Sequence, residues 1–281
     1  MRGRDKRVVL HVGAHKTGTT TIQQYLLAHR ESLRRRGVRY VPRAELSPLV
    51  GWGEQLVTSP DGFAALVADF GAARRERVLL ASHENMCGRP FARVGAGLYA
   101  DAPASIEALA WMTAAHDTHV LLTIRPPHEL LESFYLQGVN MGGQMRFPRW
   151  LERLDLDALS WRPLVETLRA SFARVSVVDF GTIRAGAPAY VTDALRRVGV
   201  DVEVDASWLR PLNPSVSELG LRLLLRGNGV LADEDDRNAL RSFVQRHFNN
   251  RTGERPQLLD EDTRVMLRDR YAAEYAELTA A

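Results

Sequence analysis

Short runs of β-branched residues alternate with longer segments of helical periodicity over the first 180 residues of this 281-residue chain. The short runs have the length and composition of buried strands. They are RVVLHV (7–12), VRYV (38–41), RVLLAS (77–82), THVLLTI (118–124) and VSVVDF (175–180). Because a helical segment separates each strand from the next, the strands are expected to run parallel. The sequence therefore predicts an α/β fold, with a parallel β-sheet of about five strands flanked by helices on both faces.

Helical periodicity is also dominant after about residue 185. The helices expected between the strands lie at 20–36, 59–75, 105–116, 126–137 and 161–172. In the second of these, Ser59 is placed as N-cap and Pro60 at the first helical position. The later candidates lie at 188–198, 215–225, 233–248 and 260–278. We therefore expect a single domain over residues 1–281, in which residues 185–281 form a mainly helical extension.

Three segments lack a clear period and are expected to be irregular. They are 43–58, 86–103 and the glycine-rich 138–150. The last is interpreted either as a plain surface connection or as a lid over a substrate. These segments are the ones expected to shape a ligand pocket, so the chemistry of that pocket is not visible in the sequence.

Composition excludes several classes of protein. With 45% hydrophobic and 25% charged residues, the chain has enough apolar material for a full core. The net charge of +3 is not gathered into dense basic blocks, which argues against a nucleic-acid partner and suits small anions. The single cysteine, Cys87, excludes an internal disulfide framework and a cysteine-based zinc cluster.

The apolar run VVL near the N-terminus is too short for a signal peptide, and no apolar stretch of membrane-spanning length follows, so we expect a cytoplasmic protein without a membrane partner. The oligomeric state is left open.

The stretch GAHKTGTT (13–20) joins the first strand to the first helix and has the features of a phosphate-binding loop. Backbone N–H groups in such a turn point inward, and the helix that follows adds the positive end of its dipole. Gly13 and Gly18 have the spacing of a Walker A loop, but the residue after Gly18 is Thr19, and the lysine stands at position 16. Neither Ser82-His83-Glu84 after the third strand nor Arg125 after the fourth supplies a Walker B aspartate. The loop therefore predicts a shorter anion than a magnesium-bound triphosphate.

A second anion-binding element follows the fourth strand. Arg125 stands at the end of that strand, and Ser133 lies eight residues later on the helix that Pro126 and Pro127 begin. Parallel α/β sheets bind ligands at the carboxyl ends of their strands, where an arginine can clamp a phosphate and a serine can add a hydroxyl.

The two stretches HKTGTTTIQ and TIRPPHELLESFY resemble the nucleotide-binding signatures of sulfotransferases that use 3'-phosphoadenosine 5'-phosphosulfate (PAPS). The resemblance implies that the first signature, with His15 inside it and the run Lys16, Thr17, Gly18, Thr19 and Thr20, holds the 5'-phosphosulfate. It implies that Arg125 and Ser133 hold the 3'-phosphate. His15 stands where the family usually has proline, and Thr21 where many cytosolic members have an aromatic residue, so the residue that stacks on adenine is not identified.

The C-terminal stretch RTGERPQLLDEDTRVMLRDRYAAEYAEL is similar to the ends of heparan sulfate and related carbohydrate sulfotransferases. In that family a loop of G-R-x-x-P type contacts the nucleotide. The resemblance makes Arg251 and Arg255 candidates for the same contact, and it favours a carbohydrate acceptor.

Sulfuryl transfer requires alignment, neutralisation of charge on the leaving oxygen, and a base for the acceptor. We assign Lys16 to the leaving oxygen and Thr19 and Thr20 to the 5'-phosphate. The resemblance makes a glutamate or a histidine the base, and Glu84 and His83 both follow the third strand. The resemblance favours Glu84, because bacterial members of the family often end this strand in Ser-Ser-Glu, which Ser82-His83-Glu84 matches. His83 is the alternative, or neither is the base, and alternation along a strand would aim the two side chains to opposite faces.

The sequence thus predicts a sulfotransferase that moves a sulfuryl group from PAPS to a hydroxyl or amine of an organic acceptor, releases 3'-phosphoadenosine 5'-phosphate (PAP), and needs no metal. Two alternatives stay open at this point. One is a P-loop kinase of a small molecule, which would need Mg²⁺ and ATP. The other is a non-catalytic module that binds a nucleotide.

Overall fold

The structure is a computed structural model that describes residues 6–205 and 215–280. Residues 1–5, which carry part of the basic N-terminus, lie outside the described residues. Within the described part, the predicted five-stranded parallel sheet is confirmed, with the order β2-β3-β1-β4-β5. The strands are β1 Arg7–His11, β2 Val38–Val41, β3 Val78–Ser82, β4 Asp117–Ile124 and β5 Arg174–Asp179.

The register of the parallel pairs brings the ends of the strands to one edge of the sheet. His11 of β1 lies opposite Ser82 of β3 and Leu121 of β4. The residues that follow β1, β3 and β4, which contain the predicted site residues, therefore leave the sheet at the same edge. This is the edge at which parallel α/β sheets bind their ligands.

Thirteen α-helices are formed by the described residues. They are α1 Thr19–Ala28, α2 Arg30–Arg35, α3 Arg43–Val50, α4 Glu54–Thr58, α5 Asp61–Ala72, α6 Ala102–Thr113, α7 Pro127–Asn140, α8 Phe147–Leu151, α9 Arg162–Ser171, α10 Ala187–Arg197, α11 Glu218–Val230, α12 Glu234–His247 and α13 Glu261–Ala280. Their presence confirms that helices flank the sheet and that the chain after about residue 185 is mainly helical.

The sheet is buried on both faces, as expected for parallel strands covered by helices. Val8, Val9 and Leu10 of β1 are completely buried. Val9 belongs to a core cluster that includes Ile22 of α1 and Tyr190 of α10. The helix that follows the predicted phosphate-binding loop is thus fixed to the sheet by its apolar face, and the loop is held at both ends.

Some boundaries differ from those expected. The predicted helix over 20–36 breaks at His29, whose backbone leaves helical geometry and whose Nδ1 lies 3.0 Å from the Tyr25 carbonyl oxygen. The predicted N-cap Ser59 lies two residues before the helix, because α5 begins at Asp61 with Pro60 as the capping residue. Differences of this size are usual at helix ends.

The expectation that 43–58 is irregular was wrong, because α3 and α4 occupy most of it. Helix α3 contains Pro48, which opposes helix formation, yet Leu46 and Val50 are completely buried. Burial of these two side chains outweighs the poor local propensity. The glycine-rich segment 138–150 is also partly helical, since α7 extends to Asn140 and α8 begins at Phe147.

The chain divides into two compact units. The first comprises residues 1–125, 158–209 and 274–281 and contains the sheet, and the second comprises residues 126–157 and 210–273. Within the second unit, Asn228 of α11 donates to the carbonyl oxygens of Val139 and Gly143 at 2.7 and 2.9 Å, and Arg264 is paired with Glu132 at 2.7 Å. The single domain over residues 1–281 stays a prediction.

Within residues 6–205 and 215–280, none of the helices has both the length and the apolar character that crossing a membrane requires.

Candidate functional site

The loop between β1 and α1 has the backbone of an anion-binding turn. Gly13, Lys16 and Gly18 have positive φ angles of 26°, 64° and 78°. The conformation at Lys16 is uncommon for a residue with a Cβ atom, and such strain is found mainly at functional sites. At Gly18, a Cβ atom would lie 2.8 Å from Cε2 of Phe180 and 3.1 Å from Cε1 of Tyr190. The loop is therefore pressed so closely against its neighbours that only glycine fits at position 18.

The backbone N–H groups of this loop fall into two sets. Those of Ala14 and His15 donate to the Thr123 carbonyl oxygen at 3.2 Å and to the Tyr99 hydroxyl at 2.8 Å. Across the part of the chain that the structure describes, the five N–H groups of residues 16–20 have no hydrogen-bond acceptor. The first N–H groups of a helix have no partner within it, and here the turn before the helix adds further donors, so the row of five N–H groups is suited to bind an anion.

Neighbouring side chains hold the loop in this shape. The hydroxyl of Thr17 is completely buried and donates to the Ala14 carbonyl oxygen at 2.6 Å. The hydroxyl of Tyr190 donates to the Thr17 carbonyl oxygen at 2.7 Å. Both the hydroxyl and the carbonyl oxygen of Thr17 are thus engaged within the protein. Thr17 can therefore offer an anion its backbone N–H rather than its hydroxyl.

Two cationic side chains lie beside the same loop. Nη1 of Arg125 donates to the Lys16 carbonyl oxygen at 2.9 Å, and its guanidinium lies over the Phe180 ring at 5.1 Å from the centroid. Lys16 keeps exposed surface, but surrounding protein atoms lower the pKa of its amine by desolvation, and the charge of Arg125 lowers it further. The structure thus brings the two predicted cations together. Their mutual repulsion makes a negatively charged ligand favourable between the loop and Arg125.

His15 is buried against its neighbours at one side of the loop. Its ring stacks on Trp52 at 5.6 Å, its Nδ1 lies 3.0 Å from the Tyr99 hydroxyl, and its Nε2 lies 3.1 Å from Oδ1 of Asn85. Burial, which is the main cause, lowers the pKa of His15 to about 4, so the ring is neutral at pH 7. The contact of His15 with the nucleotide stays a prediction.

Glu84 is the first residue of a short 3-10 turn (Glu84–Cys87) that follows β3. Arg43 donates through Nε and Nη2 to Oε1 of Glu84 at 3.1 Å, and Gln23 donates to Oε2 at 3.3 Å. Burial acts to raise the pKa of Glu84, but its own backbone N–H, Arg43 and the two nearby histidines have the opposite effect and together keep the pKa below its usual value. Glu84 is therefore a carboxylate at neutral pH, and one of its oxygens is covered by an arginine.

His83 points into the protein. It is 1% exposed, its Nδ1 accepts the backbone N–H of Asn85 at 3.1 Å, and its Nε2 lies 3.2 Å from Oγ of Ser47. Since Nδ1 accepts, the proton lies on Nε2 and is directed at Ser47. Burial, as the main cause, lowers the pKa of His83 to about 4. Both nitrogens are thus engaged in contacts that hold the end of β3 in place.

The other predicted nucleotide ligands lie in the second unit. Ser133 is half-buried on α7. Arg251 and Arg255 are exposed, and the Arg251 backbone N–H donates to Oδ1 of Asn249 at 3.0 Å. The roles of these three residues stay predictions.

Several residues of the site were not found from the sequence. Arg43 begins the helix after β2, so the rule that ligands bind at the carboxyl ends of parallel strands could have found it. Gln23 lies one helical turn after Thr19 on α1, which is also a usable signal. Tyr99 and Tyr190 reach the loop across long separations in the sequence, and no local pattern marks them.

Within residues 6–205 and 215–280, no group of three or more histidine, cysteine, aspartate or glutamate side chains is arranged to hold a metal ion.

Comparisons with known proteins give only weak similarities. No family model matches the sequence, and no curated protein matches it. Among solved structures, a sulfotransferase from Alicyclobacillus acidocaldarius is 16% identical, with a TM-score of 0.41 over 84% of this chain and 90% of that chain. Retinol dehydratase in complex with androsterone and the inactive cofactor PAP is 10% identical, with a TM-score of 0.39 over 97% of this chain and 81% of that chain. Because both TM-scores are below 0.5, neither similarity bears on the function of this chain.

Proposed function

We propose that this chain is a PAPS-dependent sulfotransferase that transfers a sulfuryl group to a hydroxyl or amine of an organic acceptor, with a carbohydrate as the favoured class, and releases PAP. The observation that carries the proposal is the row of five backbone N–H groups at residues 16–20, which have no acceptor among the described residues. The side chains of Lys16 and Arg125 add two positive charges to this row. The resemblance of the two sequence signatures supports PAPS as the anion. We also propose a cytoplasmic location.

The donor set fits PAPS, which has a phosphosulfate at one end and a separate phosphate on the ribose. The loop offers backbone N–H groups and the Lys16 amine, as a phosphosulfate requires. Arg125 offers a guanidinium beside the loop, and in the proposal it binds the 3'-phosphate together with Ser133. A kinase would have no use for this second site.

In the proposed reaction, bound PAPS supplies a sulfuryl group attached to a phosphate leaving group. The Lys16 amine neutralises the negative charge that develops on the bridging oxygen, and Thr19 and Thr20 hold the 5'-phosphate. The charge on the leaving group is met by these protein groups, so the proposal includes no metal.

Glu84 is the proposed general base. The environment of His83 supports this choice, because its Nδ1 lone pair already accepts the Asn85 N–H and its Nε2 proton faces Ser47. Glu84 keeps 20% of its side chain exposed, and it can take the acceptor proton as the acceptor oxygen bonds to sulfur and the bridging bond breaks. Arg43 covers Oε1, so proton transfer to that oxygen requires the arginine to move.

Replacement of Glu84 by glutamine tests the base. We expect Glu84→Gln to abolish turnover and to leave PAP affinity unchanged, since the glutamine side chain has nearly the same size as that of glutamate but is not a base. Glu45→Gln is the matched control, because Glu45 is also paired with an arginine, Arg30, at 3.2 Å. A fully active Glu84→Gln enzyme would show that Glu84 is not the base and that another group accepts the proton.

Thermal unfolding with PAP, and separately with Mg-ATP, tests the nucleotide. A ligand at about 100 times its dissociation constant stabilises the native state by roughly 2.7 kcal/mol. For a chain of this size the Tm should rise by roughly 5 to 10 °C. We expect this rise with PAP for the wild type and for the control Arg197→Ala, and a much smaller rise for Arg125→Ala. A rise with Mg-ATP but none with PAP would favour a kinase instead.

A further inference from the structure

The backbone that carries Arg125 is fixed in an unusual way. The residues after it are Pro126 and Pro127, and neither has an N–H group with which to anchor the turn. The carbonyl oxygens of Ile124 and Arg125 provide anchoring points instead. Nε1 of Trp161 donates to the Arg125 carbonyl oxygen at 2.9 Å. The Tyr275 hydroxyl lies 3.1 Å from the Ile124 carbonyl oxygen.

Trp161 is itself held by the last turns of α13. Oε1 of Glu274 accepts the Trp161 backbone N–H at 2.8 Å, and Oε2 accepts the Ser160 hydroxyl at 2.7 Å. Trp161 is 1% exposed, so its indole has little room to move once these bonds are made. A single carboxylate therefore fixes the residue whose indole N–H holds Arg125.

Tyr275 fixes the guanidinium of Arg125 by a separate route. Its hydroxyl lies 2.6 Å from Oδ1 of Asp179, and the same oxygen accepts the backbone N–H of Gly181 at 2.6 Å. These two bonds hold Asp179 and Gly181, the residues on either side of Phe180, and so fix the position of the Phe180 ring under the Arg125 guanidinium. Hydrogen bonds to a carboxylate are among the stronger ones, so the ring is well fixed.

We propose that Glu274 and Tyr275 are positioning residues for Arg125, and that the last turns of α13 thereby set the preference of the site for a ligand with a 3'-phosphate. The inference rests on the proposed function, because it takes the 3'-phosphate of PAP as the group that Arg125 binds. Neither residue touches the ligand. They act through Trp161 on the backbone of Arg125 and through Phe180 on its guanidinium.

The test compares two ligands that differ only in the 3'-phosphate. The dissociation constants of PAP and of adenosine 5'-monophosphate are measured by calorimetry for the wild type, Tyr275→Phe, Glu274→Gln and Arg125→Ala. Glu277→Gln is the matched control, since Glu277 lies on the same helix but pairs with the exposed Arg162 at 2.7 Å. We expect the preference for PAP to fall about fivefold or more in the two positioning variants, the scale of one lost hydrogen bond, and to stay unchanged in the control. Arg125→Ala should lose nearly all of the preference.

Each other result would overturn the inference in a distinct way. If PAP and the monophosphate weaken by the same factor, Glu274 and Tyr275 have only a structural role. If the preference is unchanged in both variants but lost in Arg125→Ala, the proposed function stands and the positioning role does not. If the wild type binds PAP no better than the monophosphate, the role of Arg125 in the proposed function fails, and the inference fails with it. Tyr275→Phe keeps the aromatic ring, so it provides the test if Glu274→Gln does not fold.

Discussion

Substitution of Gly18 by alanine should destabilise the protein by two separable effects. The first is backbone strain, because φ is 78° at this position and a left-handed conformation costs an L-residue about 1 to 2 kcal/mol. Part of this cost is offset, since alanine also restricts the unfolded chain. The second is steric, because the new Cβ atom would lie 2.8 Å from Phe180 and 3.1 Å from Tyr190. Overpacking of this kind costs about 1 to 3 kcal/mol.

Gly95 provides a control that isolates the steric effect. Its φ angle is 70°, and a Cβ atom there would have nothing within 4 Å. We expect Gly95→Ala to cost about 1 kcal/mol, from strain alone, and Gly18→Ala to cost about 2 to 4 kcal/mol. The corresponding decreases in Tm are about 2 to 4 °C and about 4 to 16 °C.

The assay is thermal unfolding of both variants beside the wild type, followed by PAP titration of each. Gly18→Ala should also weaken PAP binding, because the clash moves the loop that carries the unpaired N–H groups. Gly95→Ala should bind PAP as the wild type does. Equal decreases in Tm for the two variants would refute the steric argument. Unchanged PAP binding by Gly18→Ala would show that the geometry of the loop does not matter for the ligand.

Three further changes have defined outcomes. Lys16→Ala should lower kcat by roughly 10²- to 10³-fold, the usual effect of losing one charge-stabilising donor, and steady-state kinetics with PAPS would show it. Arg43→Gln removes a charge that lowers the pKa of Glu84, so that pKa should rise and the carboxylate should be protonated at a higher pH, which a ¹³C NMR titration of the Glu84 carboxyl can detect. The pKa of His83 is lowered from 6.5 to about 4 in the folded state. The neutral His83 ring therefore contributes to the free energy of unfolding above pH 6.5, and this contribution is lost as the pH falls from 6.5 toward 4. In His83→Gln the dependence of Tm on pH should become shallower between those two values, and an unchanged slope would contradict the burial of a neutral ring.

The sequence predicted the sheet well because each strand is a short apolar run between helical segments, and burial on both faces leaves that pattern plainly visible. It failed at 43–58, where helix α3 forms in spite of Pro48 because Leu46 and Val50 are buried, a tertiary effect without a local signal. Of the site, Lys16, Gly18 and Arg125 were identified from local motifs, and the structure brings them together. The ion pair of Glu84 with Arg43 was not foreseen, and it helps to keep the pKa of this proposed base below its usual value.

The order in which the chain is synthesised limits when the anion site can form. The loop at residues 13–20 is made early, but its Thr17 carbonyl oxygen is held by Tyr190, and the backbone of Arg125 is held through contacts with Glu274 and Tyr275. Contacts over such separations form only after a large loss of chain entropy. A nascent chain that has not yet extended past residue 275 therefore lacks the contacts that fix the backbone of Arg125. The proposed site for the 3'-phosphate is therefore completed late, together with the final turns of α13.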